Sequence, residues 1–262
     1  MKKICIVTTR HISYNPRVLK EADTFQAAGY LVTVVTVNNH EEQRRFDEEL
    51  MRSRDWKLST VDFRRTASRE RQRWLRLSIK QKFFRALSTM TFRYGVAERA
   101  VEKSFDRLVA LAAAEKADLY IAHHAEALGV GYRAALRHKV PFGFDAEDFH
   151  TGMNESGSGS SPMIAFLEAK YLPHARYLTA ASSGIAAAYQ DKYGVRLPCV
   201  ILNVFSREDL VATPVHQPVR FYWYSQVIGP NRGLELLMNA AGLVRTTDPA
   251  FEIHLRGSLG DR

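Results

Sequence analysis

A doubly wound parallel α/β sheet, followed by the opening of a second unit of the same kind, is the architecture the sequence predicts, and three observations predict it. KICIVTT at residues 3–9 and LVTVVTV at 31–37 are strand-length apolar runs on either side of a helical stretch, the order that a right-handed crossover and a parallel sheet require. The same order recurs between residues 118 and 204. After a stretch without periodicity it begins again at residue 219.

Each element has a local reason. Asn15 is placed to cap the first helix, Pro16 to occupy its first turn and Gly29 to stop it. Downstream, strands are expected at 118–122, 140–144, 175–182 and 198–204, with helices at 126–138 and 163–172 and a third capped by Ser182 or Ser183 and ending at Tyr193 and Gly194. That makes a sheet of about six strands. The domain boundaries read as a first domain over 1–205, a linker over 206–218 with two prolines, and the start of a second domain over 219–262. One strand-helix-strand unit cannot cover its own sheet, so the second domain reads as incomplete and the chain as a piece of a longer protein.

Residues 69–116 read as helical with a break near Gly95, and Leu75, Ile79, Phe83, Leu87, Met90 and Tyr94 recur in steps of three and four. Two readings of this stretch stand side by side. It is a core-packing helix with a solvated basic face, or a membrane-surface helix with Trp74 and Phe84 as interfacial anchors and Arg73, Arg76 and Lys80 against anionic headgroups. The charge supports attention to this segment: residues 64–85 hold nine Arg or Lys against one Glu, in a chain whose net charge is +9. Such a patch attracts phosphate-rich partners through a field that salt screens. Nucleic acid is disfavoured because no recognised docking motif accompanies the charge.

Composition closes other routes. A chain of 262 residues with 46% hydrophobic composition buries a core. No apolar run approaches the ~18 to 20 residues of a spanning helix. Cys5 and Cys199 both lie inside apolar runs, with no paired spacing and no secretory leader, which reads as two inert core thiols in a reducing, cytoplasmic compartment.

In a parallel sheet ligands sit beyond the carboxyl ends of the strands, so the residues just after each strand carry the chemistry. After the first strand come His11, Asn15 and Arg17, around a helix start that favours an anion. No Gly-x-Gly-x-x-Gly occurs there, which argues against a dinucleotide, and no cofactor is expected. His123 and His124 follow the 118–122 strand. Neighbours on an extended backbone point opposite ways, and His123 is the one expected to face the cleft and orient a sugar hydroxyl, against the ordinary reading of a hydrogen-bonded structural histidine. With no third ligand nearby in sequence, no metal site is expected. After the 140–144 strand come Asp145, Glu147, Asp148 and His150, then a serine- and glycine-rich loop at 156–161. The fourth place is GPNRG at 229–233, where Arg232 and Gly233 precede a helix and suit a phosphate.

These segments together resemble the retaining GT-B glycosyltransferases of family 4, the group-1 transferases. The carriers are KICIVTTRHISYNPRVLKEADTFQAAGYLVTVVTV, ADLYIAHHAEAL, TAASSGIAAAYQDKYGVRLPCVILNV and YSQVIGPNRGLELLMNAAGLV. The resemblance implies two Rossmann-like domains, the first binding an acceptor and the second a nucleotide-diphosphate sugar. It implies His123 as the catalytic-cleft histidine, Arg232 with Gly233 as the donor-phosphate cradle, and a reaction needing no divalent ion. Asp148 then becomes the catalytic candidate for deprotonating an acceptor hydroxyl, with His11, Asn15, Arg17, Asp145 and His150 as acceptor-binding residues and the serine-glycine loop as a lid. The sequence departs from the family pattern where Ser13, Tyr14 and Asn15 stand in place of paired glycines. The paired glutamates that hold the donor are not reached before Arg262, so this stretch of chain alone is expected to have little activity.

The function so implied is transfer of a sugar from a nucleotide-diphosphate sugar to a glycan or lipid-linked acceptor in cell-surface polysaccharide or glycolipid synthesis, by an enzyme peripheral on the inner membrane face. The competing class is a transferase-like module that binds glycan or lipid without transfer.

Overall fold

Alternation along the first strand assigns two faces at once. In β1 (Lys3–Val7), Ile4 and Ile6 join one apolar cluster, while Cys5 and Val7 join another. Successive side chains point to opposite faces, so a strand buried in both clusters lies inside a sheet covered by helices on each side. The computed structural model describes residues 1–65, 68–152, 161–204, 218–230, 232–244 and 251–259. The expected lid at 156–161 and the expected linker at 206–218 fall, but for one residue each, outside them.

The chain divides into two compact units, Met1–Asn203 and Val204–Arg262. In the first, β1, β2 (Leu31–Asn38), β3 (Lys57–Asp62), β4 (Leu119–His123), β5 (Phe142–Ala146), β6 (Tyr177–Ala180) and β7 (Cys199–Val200) form one parallel sheet in the order β3-β2-β1-β4-β5-β6-β7. Strand order reverses between β1 and β4, the switch point at which Rossmann-like sheets open a crevice for ligands. Helices α1 (Pro16–Ala27), α2 (Glu41–Met51), α3 (Ser68–Leu87), α4 (Val96–Val101), α5 (Phe105–Ala114), α6 (Leu128–His138), α7 (Ser161–Tyr171) and α8 (Ser183–Tyr193) connect the strands. In the second unit β8 (Val219–Ile228) pairs in parallel with β9 (Phe251–Leu259), with α9 (Leu234–Val244) between them in sequence. No α9 residue is buried.

The seventh strand of the sheet, β3, and helix α2 were not expected from the sequence. β3 is an edge strand of pattern KLSTVD with only Ser59 and Val61 buried, so its apolar signal is half that of an inner strand. Cys199 also differs from expectation: Cys5 is buried, and burial pushes its thiol well above the ordinary range, but Cys199 is exposed on the two-residue edge strand β7.

The middle segment breaks where expected, with Gly95 at φ 82° capping α4, a backbone that favours glycine. Its faces are the reverse of those the periodicity suggests. Leu77 is buried, and Trp74 and Phe84 pack against the core, whereas Leu75, Ile79, Phe83, Met90 and Tyr94 are exposed. Trp74 is therefore no interfacial anchor: the Arg65 guanidinium lies 4.2 Å from its ring centroid and the Lys103 ammonium 5.8 Å. Arg73 donates to the Asp62 carbonyl and Lys80 pairs with Asp106. Of the four residues expected to form a membrane contact, Arg76 remains exposed without an ion pair among the described residues.

Candidate functional site

The loop after β1 is fixed before it reaches the crevice. His11 is held by Asp47 (Nδ1 to Oδ2, 2.7 Å) and Asn39 (Nε2 to Oδ1, 2.9 Å), and the Ser13 amide donates to the same Asp47 at 2.9 Å. Asn15 caps α1, its side-chain oxygen accepting from the Val18 amide at 3.1 Å, as the sequence led one to expect. Its amide nitrogen turns outward to Glu147 Oε1 at 2.8 Å and His124 Nε2 at 3.0 Å.

Parallel pairing then sets His123 opposite Asp145, which places the end of β4 among carboxylates. His123 is fully buried. Its Nε2 lies 2.6 Å from Glu21 Oε2, and its Nδ1 lies 2.8 Å from Glu147 Oε1 and 3.4 Å from Asp145 Oδ2. Burial disfavours the charged ring, but Glu21, Glu147 and Asp145 outweigh it and push the imidazole up to about 10. An acid facing each nitrogen keeps both protonated. Glu147 is held at about 2, because His123, His124 and Asn15 overcome the opposing effect of its burial.

Asp145 is the second hub. The Arg17 guanidinium grips it with Nε on Oδ2 and with Nη2 on Oδ1 at 2.7 Å, and Thr179 donates to Oδ1. The third Arg17 nitrogen, Nη1, donates to the Ile201 carbonyl at 2.5 Å. These bonds hold the carboxyl of Asp145 below its ordinary range against burial, and the pairing with Asp145 holds Arg17 above its own. Beside this hub a cavity of about 290 Å³ is lined by Arg17, Lys20, Glu21, His123 and Asp145 among others.

His124 is the residue that sequence reasoning passed over. It is buried, with φ 67° and ψ 150°, a backbone that a side-chain-bearing residue holds at a cost on the order of 1–3 kcal/mol. Burial lowers it to about 4, so the ring is neutral near pH 7. Because Nε2 accepts from Asn15, the proton sits on Nδ1, and Nδ1 has no hydrogen-bond partner. Its ring stands edge-on to His150 at 5.8 Å, whose Nε2 is likewise unpartnered. The only sequence sign of this was the adjacency of two histidines at a strand end.

The structure thus brings Asn15, Arg17, His123 and Asp145 into one network and adds Glu21, Glu147 and His124. His11 belongs to the scaffold of the β1 loop. Asp148 follows Glu147 in the chain, and its carbonyl accepts at 3.2 Å from the hydroxyl of Tyr189, a residue outside the network. In the second unit, Arg232 donates to Ser225 Oγ at 2.9 Å, and Gly233 adopts φ 77° just before α9.

Among the described residues one group has metal-ligand spacing: His123, Asp145 and Glu147, with candidate atoms within 4.8 Å of one another. The arrangement fits a cation poorly. Glu147 and Glu21 already occupy the two His123 nitrogens, and Arg17 already grips both Asp145 oxygens.

Residues 14–203 match the family model described as a glycosyl transferase 4-like domain. No curated protein matches the chain in sequence. Among solved structures it is similar to HepE of Anabaena, solved with UDP and glucose, at a TM-score of 0.60 and 16% identity over 99% of this chain and 62% of that one. It is also similar to sucrose-phosphate synthase of Thermosynechococcus elongatus, at a TM-score of 0.57 and 12% identity over 98% and 63%. A third similar structure is TarM, at 0.62 and 10% over 100% and 73%. The chain spans under two thirds of the length of the first two.

Proposed function

The chain belongs to the glycosyl transferase 4-like family and has the GT-B fold, and from that premise we propose that it serves transfer of a sugar, with retention, from a nucleotide-diphosphate sugar to a glycan or lipid-linked acceptor. The setting we propose is the cytoplasmic face of a membrane, in synthesis of cell-surface polysaccharide or glycolipid. The observation that carries the transfer reading is that the family match, residues 14–203, takes in β2 to β7 of the sheet and every residue of the His123 network at its β1/β4 switch point. HepE, with UDP and glucose in one structure and UDP-glucose in another, supports a nucleotide-sugar donor.

The roles follow from charge. As a glycosidic bond breaks, the leaving diphosphate gains negative charge, and a fixed cation beside helix amides stabilises it. Arg232 and the Gly233 turn before α9 are proposed for that place. His123, protonated on both nitrogens, has no lone pair for a proton, so its proposed role is a fixed positive charge in the acceptor crevice. Asp148 is the proposed base for the acceptor hydroxyl, and Asn15, Arg17, Asp145 and His150 are the proposed acceptor-binding residues.

The test is a transfer assay of the full-length enzyme with UDP- and GDP-sugars and lipid-linked acceptors. Asp148→Asn is expected to lower turnover by roughly 10²- to 10⁴-fold, and Arg232→Ala to weaken donor use, while added divalent ion changes nothing. Activity lost in chelator and restored by manganese would overturn the metal-free mechanism. Absence of both transfer and nucleotide-sugar binding would instead favour the non-catalytic module.

A further inference from the structure

Helix α3 is apolar on two opposite sides. One side, with Trp74, Leu77 and Phe84, packs on the core. The other carries Leu75, Ile79 and Phe83, which are 52%, 60% and 63% exposed. Each step of four residues advances the side chain only about 40° around the helix, so these three form a single outward ridge. Met90 and Tyr94, both exposed, come after it in sequence. A row of large apolar side chains in water marks a contact surface.

The flanks of the ridge say what covers it. At about 100° per residue, Arg71 and Lys82 border it on one side and Arg76 and Lys80 on the other. The acid of this helix, Glu70, falls on the opposite side. A second copy of the chain would bring two such basic faces together, and a nucleic-acid backbone offers nothing apolar to Leu75 and Ile79. Apolar side chains framed by cations match an anionic lipid surface, where the ridge enters the acyl boundary and the cations meet headgroups.

We propose that the outward ridge of α3, Leu75, Ile79 and Phe83 flanked by Arg71, Arg76 and Lys82, is the face by which the protein lies on an anionic bilayer. This rests on the reading of an enzyme at a membrane surface and deepens it by naming the face. Trp74, inward and packed, takes no part.

The experiment is flotation of the 262-residue chain with phosphatidylcholine vesicles, with and without one third phosphatidylglycerol. Leu75→Ser, Ile79→Ser, Phe83→Ser together should weaken binding at least about tenfold, while the fold survives with a modest loss of thermal stability, since the three side chains are mostly exposed and Phe83 gives up only its edge-to-face contact with Phe84. Arg76→Gln with Lys82→Gln should weaken it on the order of 30-fold at low salt. In Phe83→Trp, lipid brominated in the acyl chains should quench the new indole. A triple-serine variant that floats as well as the parent, with no quenching in Phe83→Trp, would overturn the ridge while leaving the membrane reading standing. A parent chain that ignores anionic vesicles would remove both, whatever the transfer assay shows. Equal binding to uncharged vesicles, or loss of a dimer on serine substitution, would also overturn the proposal.

Discussion

Replacement of His123 by glutamine should flatten the alkaline side of the protein's stability profile. The imidazole is raised from an ordinary 6.5 to about 10 in the folded protein. A raised basic group contributes stability that is fully present below its unfolded value and is lost as pH rises through its folded value. The window is therefore pH 6.5 to 10. Within it the parent should lose stability at roughly 1.4 kcal/mol per pH unit, on the order of 5 kcal/mol across the window. His123→Gln keeps a side chain of similar reach but cannot carry the charge, so it should be less stable than the parent at pH 6.5 and converge on it near pH 10. The assay is urea unfolding of both proteins at pH 6.5, 8 and 9.5, read as the midpoint, since other alkaline groups titrate equally in each. On the acid side Glu147, held at about 2, contributes stability present above its ordinary value of 4.5 and lost as pH falls toward 2. If the difference between parent and variant does not change from pH 6.5 to 9.5, His123 is not held as a cation and its proposed role goes with it.

Asn15→Ala should cost about 1 kcal/mol for the lost cap and more for the bonds to Glu147 and His124; Asn15→Asp restores the cap but sets a carboxylate against Glu147, so chemical denaturation should show it still destabilised. Gly143→Ala should cost about 1–3 kcal/mol, because an added Cβ would lie 2.3 Å from the Tyr177 ring; a melting temperature equal to the parent's would show that the ring moves aside freely.

Much of the first unit was legible because inner parallel strands are unbroken apolar runs and α1 declares both ends, with Asn15 and Pro16 at one and Gly29 at the other. β3 was illegible because an edge strand needs burial on few residues, and KLSTVD has just enough for that. α3 misled for a different reason. Its steps of three and four are real, but the helix has two apolar sides, and periodicity alone does not say which of them meets the core. His123 and Asp145 were legible because they stand at the carboxyl ends of β4 and β5, where a parallel sheet presents its ligand-binding groups. Glu21 occupies no strand end. It reaches His123 from α1, 102 positions away in sequence, and nothing local marks it.

The adjacent histidines show how position, and not residue type, decides chemistry at this crevice. On an extended strand His123 and His124 would face opposite sides, and one of them would be solvated or buried against a helix. The positive φ at His124 breaks that alternation and lets both rings be buried near Glu147, at 2.8 Å for His123 and 3.7 Å for His124. Glu147 supports only one imidazolium well, and Glu21 tips the balance by facing the free nitrogen of His123. His124, with Asn15 on its own nitrogen, stays neutral. One ring is therefore a fixed charge that exchanges no proton near pH 7, and the other is a neutral donor with its Nδ1 proton unspent. The Nδ1 proton of His124 is a buried donor with no partner in the structure, whereas any group that bonds to His123 must first displace a carboxylate.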